Sequence, residues 1–149
     1  MKSHGFTLIE LIMLITILLI LSVTAWVRMP SVNFFQSYRF SNVLLYDLNL
    51  TKVLSMSLNQ RYRLVIGSSS YQIQDQNGVA IIHPETNSSF VNYPTGVTIT
   101  PTTTIIFDSL GQPYNAAGTT ALTTTLTLTV SASGVSQTIN VTPQTGFIQ

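Results

Sequence analysis

The hydrophobic pattern separates an apolar N-terminal segment from a mixed remainder. Residues Phe6 to Val27 are almost all apolar, and Glu10 is the one charged side chain among them. At about 1.5 Å per residue, this run predicts a helix of about 33 Å, long enough to span a bilayer. An ionised carboxylate facing lipid costs on the order of several kcal/mol unless it is paired. Glu10 therefore predicts a cationic partner.

A second helical stretch is predicted over residues 31–59. Pro30 removes a backbone donor and disfavours helix at Met29, so we expect a kink there. Apolar side chains then recur every three or four residues, which predicts one stripe buried against a sheet. This stripe consists of Val43, Tyr46, Leu50, Leu54 and Leu58.

Residues 62–149 follow the two-residue period of β-strands. Short strands are predicted at Tyr62–Ile66, Tyr71–Gln74, Val79–Ile82, Val97–Ile99 and Thr104–Phe107. The second and third form a hairpin around the turn Asp75-Gln76-Asn77-Gly78. The clearest alternation comes last, at Leu122, Leu126, Leu128 and Val130, then Val135, Ile139 and Val141, with Thr145–Ile148 as a final edge strand. A long helix followed by antiparallel strands predicts an α+β fold.

Composition argues against a freely diffusing cytosolic protein. Charged residues make up 7% of the 149 residues, where about a quarter is usual. There is no cysteine, which excludes disulfides and thiol chemistry. The charges are uneven, because no Lys or Arg follows Arg63.

The sequence offers no catalytic constellation, so we expect no enzymatic activity, cofactor or metal. His83-Pro84-Glu85 is the one place where a histidine and a carboxylate come close, and we interpret it as a solvent-exposed loop. Asp75, Asn77 and Asp108 are too few for a calcium cage. The serines have no histidine partner at a motif spacing.

The hexapeptide Gly5-Phe6-Thr7-Leu8-Ile9-Glu10, followed by an apolar helix, resembles the processing motif of type IV prepilins and type II secretion pseudopilins. This resemblance implies that a prepilin peptidase removes the leader 1–5 by cutting after Gly5 and methylates the new N-terminus at Phe6. It also implies a transmembrane assembly helix over residues 6–29 and a periplasmic domain over residues 30–149 with the pilin-like fold. Glu10 would be the assembly carboxylate and pair with the N-terminal amine of a neighbouring subunit.

A narrower resemblance rests on Ile105–Gly111 and on Thr145-Gly146, which are similar to the H-type minor pseudopilins and the FimT-like minor pilins. It implies a subunit held by a single pass in the bacterial inner membrane and then built into a pilus or pseudopilus. The implied partners are other pilins, the prepilin peptidase and an inner-membrane assembly platform. The aromatic residues Phe34, Phe35, Tyr38 and Phe40 fit two interpretations: contact with neighbouring subunits or the membrane interface, or cover for their own domain.

Two alternatives remain at this stage. Some FimT-like pilins bind DNA during natural transformation through basic residues near the C-terminus, but here Phe147 follows Gly146 where relatives often carry arginine. Because phosphate contact needs Lys or Arg, we expect no nucleic acid partner. The other alternative is a secreted or anchored β-rich binding domain, with a signal peptide cut near Ala25.

Overall fold

The computed structural model describes the backbone of residues 7–27 and 32–149 and the side chains of residues 7–23 and 35–149. The chain forms two compact units, Met1–Ser31 and Val32–Gln149. The predicted leader and cleavage site at residues 1–6 lie outside the described residues, as does the predicted kink at Pro30.

The first unit contains helix α1, Leu8–Val27, with 20 residues. Thr7 precedes the helix, and its carbonyl oxygen accepts hydrogen bonds from the N–H groups of Glu10 and Leu11. The described side chains of α1 are exposed on every side of the helix, and the large apolar ones range from 44% at Ile17 to 76% at Leu8. Within the described residues, no helix combines the length and the apolar character needed to cross a membrane.

The second unit begins with helix α2, Val32–Leu58, whose 27 residues include a core-facing side rich in small polar residues. The buried positions are Ser37, Phe40, Ser41, Leu44, Asp47, Leu48, Thr51 and Ser55. Three of the hydroxyls donate to carbonyls in the preceding turn, so they are buried without losing hydrogen bonds.

The apolar stripe predicted for this helix is wrong. Tyr46 and Leu58 are each 52% exposed, and the other three residues are only partly buried. At 100° per residue, the predicted stripe lies about 100° around the helix from the true core face. Counting only apolar residues overlooked the serines, threonine and aspartate on the buried side.

The strands follow α2 in two antiparallel sheets. Their bounds are β1 Tyr62–Ile66, β2 Ser70–Gln74, β3 Val91–Asn92, β4 Val97–Thr100, β5 Thr104–Phe107, β6 Pro113–Tyr114, β7 Leu126–Ala132 and β8 Val135–Val141. One sheet has the order β3-β2-β1-β5-β6, and the other has the order β4-β7-β8. Strands β1, β4 and β5 and the β7–β8 hairpin confirm the predictions from the two-residue period.

Two of the predicted strands are reduced to single bridges. Residues Val79–Ile82 contribute only the bridge between Gln74 and Ala80, and eight residues, 83–90, separate them from β3. The C-terminal tail bridges β8 through Val141 and Ile148, and Asn140 and Gln149 exchange two backbone hydrogen bonds. Neither segment forms a regular strand.

The hydrophobic core of the second unit lies between α2 and the two sheets. Its fully covered side chains come from every layer and include Leu44, Leu48, Leu64, Ile105, Phe107, Leu128, Val130 and Val141. The pattern of burial alternates along β1, β2 and β4, which is why the two-residue period located these strands. The fold is the α+β arrangement expected from the sequence.

Candidate assembly segment and the buried polar cluster

Glu10 lies in the first turn of α1 and is exposed. The backbone nitrogen of Glu10 lies 3.4 Å from Thr7 Oγ1, so the Thr7 side chain caps the first turn of the helix at Glu10. A negative charge there also interacts favourably with the helix dipole. Among the described residues, no cation lies within ion-pair distance of Glu10. Gly5 and Phe6, the other predicted processing and assembly residues, lie outside the described residues.

A cluster of polar side chains is buried in the second unit around Asp47, the one acidic residue of α2. Asp47 is fully buried, and both of its carboxylate oxygens accept hydrogen bonds. Tyr71 Oη, from β2, lies 2.5 Å from Oδ2, and His83 Nε2 lies 2.7 Å from Oδ1. The cluster therefore joins the helix, the sheet and the loop between β2 and β3.

His83 is 3% exposed, so the interpretation of His83-Pro84-Glu85 as a solvent-exposed loop is wrong for the histidine. Its Nδ1 accepts a hydrogen bond from the Glu85 N–H at 3.3 Å. Because Nδ1 accepts, the ring proton is on Nε2, which donates to Asp47. His83 N and O also bond to Ser88 O and Asn87 N across the loop. The backbone of His83 thereby holds the loop together, and its side chain attaches the loop to α2.

Aromatic rings surround the cluster. Tyr71 lies 6.1 Å from Phe40 and 6.2 Å from Tyr93, measured between ring centroids. Burial, followed by the hydrogen bond to Asp47, raises the pKa of Tyr71 well above its ordinary value, so the phenol stays protonated and donates. Burial raises the pKa of Tyr93 to about 12.

The cluster has the chemistry of a structural network. Every donor and acceptor in it is used within the fold, and the described residues leave no buried side-chain N or O atom without a partner. They also contain no group of three potential metal-ligating side chains. Asp75 and Asp108, the carboxylates considered for calcium, each accept backbone N–H groups of their own turns. These carboxylates therefore stabilise turns.

A second contact holds the C-terminal turn against α2. Lys52 Nζ lies 3.0 Å from Thr145 O and 2.9 Å from Gly146 O. Gly146, at a φ of +57°, packs so closely on Gly111 that a Cβ at this position would lie 2.2 Å from Gly111 O. The tail is therefore held by a lysine as well as by the backbone bonds to β8 that the sequence suggested.

Sequence reasoning missed the Asp47 cluster because its members come from three separate segments. One signal was available: Asp47 lies next to Leu48 and one helical turn from Leu44 and Thr51, and all three of these residues are buried. A carboxylate among such neighbours requires donors from elsewhere in the chain. The sequence did not indicate that they would be Tyr71 and His83.

Two comparisons with known proteins agree with this architecture. The family described as "Prokaryotic N-terminal methylation motif" matches residues 1–26. Among solved structures, the fold is similar to that of the minor pseudopilin EpsH from the type 2 secretion system of Vibrio cholerae, with a TM-score of 0.56 and 9% sequence identity. That similarity covers 76% of this chain and 94% of the EpsH chain. No curated protein sequence matches the chain.

The N-terminal motif and the fold agree with each other: residues 1–26 match the methylation motif, and the folded unit resembles that of a minor pseudopilin. The predicted pilin-like fold is confirmed by the likeness to EpsH. The methylation motif covers Gly5, Phe6 and Glu10, the residues on which the sequence resemblance was based.

Proposed function

We propose that this protein is a minor pilin or minor pseudopilin, a structural subunit without an enzymatic role. A prepilin peptidase cuts after Gly5 and methylates Phe6, and the apolar N-terminal segment holds the subunit in the bacterial inner membrane with its folded unit in the periplasm. The subunit then packs with other pilins into a pilus or a type II secretion pseudopilus. The observation that supports this proposal is the methylation motif at residues 1–26 in a chain with the pilin-like fold.

Glu10 is the proposed assembly residue. After cleavage, the amine of Phe6 is a cation about one helical turn from Glu10, so in a neighbouring parallel subunit the two groups can approach each other. Surroundings of low dielectric strengthen this attraction and make it sensitive to the axial offset between the helices. An exposed carboxylate on an otherwise apolar helix therefore selects one register during assembly.

Two measurements test the proposal. Mass spectrometry of the protein purified from its native membrane should find methylated Phe6 as the N-terminal residue. The Glu10→Leu variant should enter the membrane at the normal level, while its recovery with companion pilins should fall at least about tenfold, equivalent to about 1.4 kcal/mol. Thr16→Leu is the matched control, because it also removes a polar group from α1 but leaves the carboxylate in place.

Other results would contradict the proposal. An N-terminus at Trp26 would instead identify a cleaved signal peptide and a secreted β-rich domain. Normal incorporation of Glu10→Leu would remove the assembly role from this carboxylate.

A further inference from the structure

The turn Asp75–Gly78 lies between β2 and the bridge at Ala80, and it contains the only asparagine of the sequence that is followed by glycine. Asn77 and Gly78 are both exposed. Gly78 has a φ of +83° and no side chain to shield its backbone nitrogen. Asparagine is among the chemically labile residues of proteins. The turn therefore places a labile carboxamide beside an unshielded backbone nitrogen.

The fold does not restrain the carboxamide of Asn77. The hydrogen bond that Asn77 makes within the described residues comes from its backbone N–H, and the nitrogen lies 2.9 Å from Asp75 Oδ1. By contrast, hydrogen bonds hold the carboxamides of three other asparagines, Asn49, Asn115 and Asn140. The side chain of Asn77 can therefore rotate until its Cγ approaches the Gly78 nitrogen.

Asp75 holds this turn closed. Its Oδ1 accepts hydrogen bonds from the N–H groups of Asn77 and Val79, at 2.9 Å and 2.8 Å, and its carbonyl oxygen accepts one from the Gly78 N–H at 3.1 Å. The bond to Gly78 occupies the nitrogen that lies next to the carboxamide, so that nitrogen reacts only when the turn opens. Because each such bond has a small net free energy, an exposed turn opens transiently.

We propose that Asn77 is a site of self-modification by deamidation, and that Asp75 controls its rate. The Gly78 nitrogen gives its proton to a base in the solvent and attacks Asn77 Cγ. As the new C–N bond forms, the bond from Cγ to Nδ2 breaks, and the departing nitrogen takes up a proton and leaves as ammonia. Water then opens the cyclic imide at either carbonyl, which gives aspartate or isoaspartate at position 77. This reaction requires no enzyme and does not depend on the proposed function.

The product changes both the charge and the length of the turn. Beyond Arg63 the sequence contains no Lys or Arg, and its charged residues there are Asp75, Glu85 and Asp108. A carboxylate at position 77 adds a further negative charge to this region. In isoaspartate the backbone also passes through the side-chain carbon, which lengthens the turn and disturbs the hydrogen bond of 2.7 Å from Arg63 Nη2 to Gln76 O.

The test is incubation of the freshly purified full chain, in detergent and mildly alkaline buffer, with peptide mass spectrometry at successive times. Asn77 should show the mass gain of replacing NH₂ by OH, and chromatography should separate an aspartate and an isoaspartate product. Asn87 is the internal control, because it is also exposed but is followed by Ser88, and it should react more slowly. An unchanged Asn77, or an Asn87 that reacts faster, would overturn the proposal.

Two variants test the role of Asp75. Asp75→Ala removes the side-chain acceptor of two hydrogen bonds, so it should raise the rate at Asn77 at least about threefold while Asn87 keeps its rate. Asp75→Asn retains an acceptor oxygen and should react at nearly the rate of the wild-type chain. In concentrated urea the turn is lost, so the difference between the Asp75→Ala and wild-type chains should disappear.

Other results would remove the control by Asp75. The folded Asp75→Ala and wild-type chains would then react at the same rate at Asn77, or their difference would persist in urea. An equal rise at Asn87 would attribute the faster reaction to general unfolding and would also contradict a specific effect on the turn.

Discussion

Asp47 is a buried carboxylate that links three parts of the folded unit. It is fully buried and bonds to Tyr71 on β2 and His83 in the following loop. An isolated carboxylate in that position would be very unfavourable, and two donors at hydrogen-bond distance make it tolerable. The same bonds fix the position of a loop that has no regular strand.

Asp47→Ala should destabilise the protein by about 3 kcal/mol, because it removes the shared acceptor and leaves Tyr71 Oη and His83 Nε2 as buried donors without partners. Urea unfolding of the full chain in detergent, followed by circular dichroism of the tyrosines, measures the change. Asn42→Ala, at an exposed position of the same helix, should change stability by less than about 0.5 kcal/mol. A loss below about 1 kcal/mol for Asp47→Ala would show that the network is dispensable.

At the scale of elements, α2 is a helix with two different faces. Its core face combines Leu44 and Leu48 with serines, threonine and aspartate, and its opposite face carries exposed aromatic and aliphatic residues. Such a helix does not show one clean apolar stripe in the sequence. The apparent stripe lay between the two true faces, because it combined residues from both edges.

The C-terminal turn is an element whose position depends on the absence of a side chain. Gly146→Ala should cost more stability than Gly134→Ala, by at least about 1 kcal/mol, because its Cβ would collide with a backbone oxygen. Both glycines have positive φ, +57° and +88°, so both variants share the penalty of a left-handed conformation. Only Gly146 adds a clash, since nothing lies within 4 Å of a Cβ at Gly134. Urea midpoints of the two variants measure the difference, and equal midpoints would contradict the tight packing on Gly111.

At the scale of the molecule, the buried phenol makes stability depend on alkaline pH. Because the pKa of Tyr71 is raised in the folded state above its ordinary value of about 10, the folded protein holds a proton that the unfolded chain has lost. The stability contributed by this phenol is therefore complete below about pH 10 and declines as pH rises further, by about 1.4 kcal/mol per pH unit.

Urea midpoints measured between pH 9 and pH 11.5 check this expectation. In Tyr71→Phe, the decline above pH 10 should be shallower, because Tyr93 is then the remaining tyrosine whose pKa burial raises. Equal slopes for the two proteins would show that Tyr71 ionises as readily in the folded state as in the unfolded chain.

The sequence by itself predicted the outline of the fold and carried the resemblance to type IV prepilins. The hexapeptide at Gly5–Glu10 and the apolar run behind it are local features, and short strands such as β1 and β4 are recognised by the alternation of more and less buried side chains. These features depend on residues close together in the chain, so they can be recognised without a structure.

Only the tertiary structure decided which side of α2 is buried, that His83 points inward, and that the segment after β2 makes a single bridge before leaving the sheet. Each of these depends on groups that are distant in sequence: Asp47 accepts from residues 24 and 36 positions away. A buried polar residue is stable only with partners, and the identity of those partners follows from packing. For the same reason, the exposed apolar side of α2 could be identified only once the buried side of the helix was known.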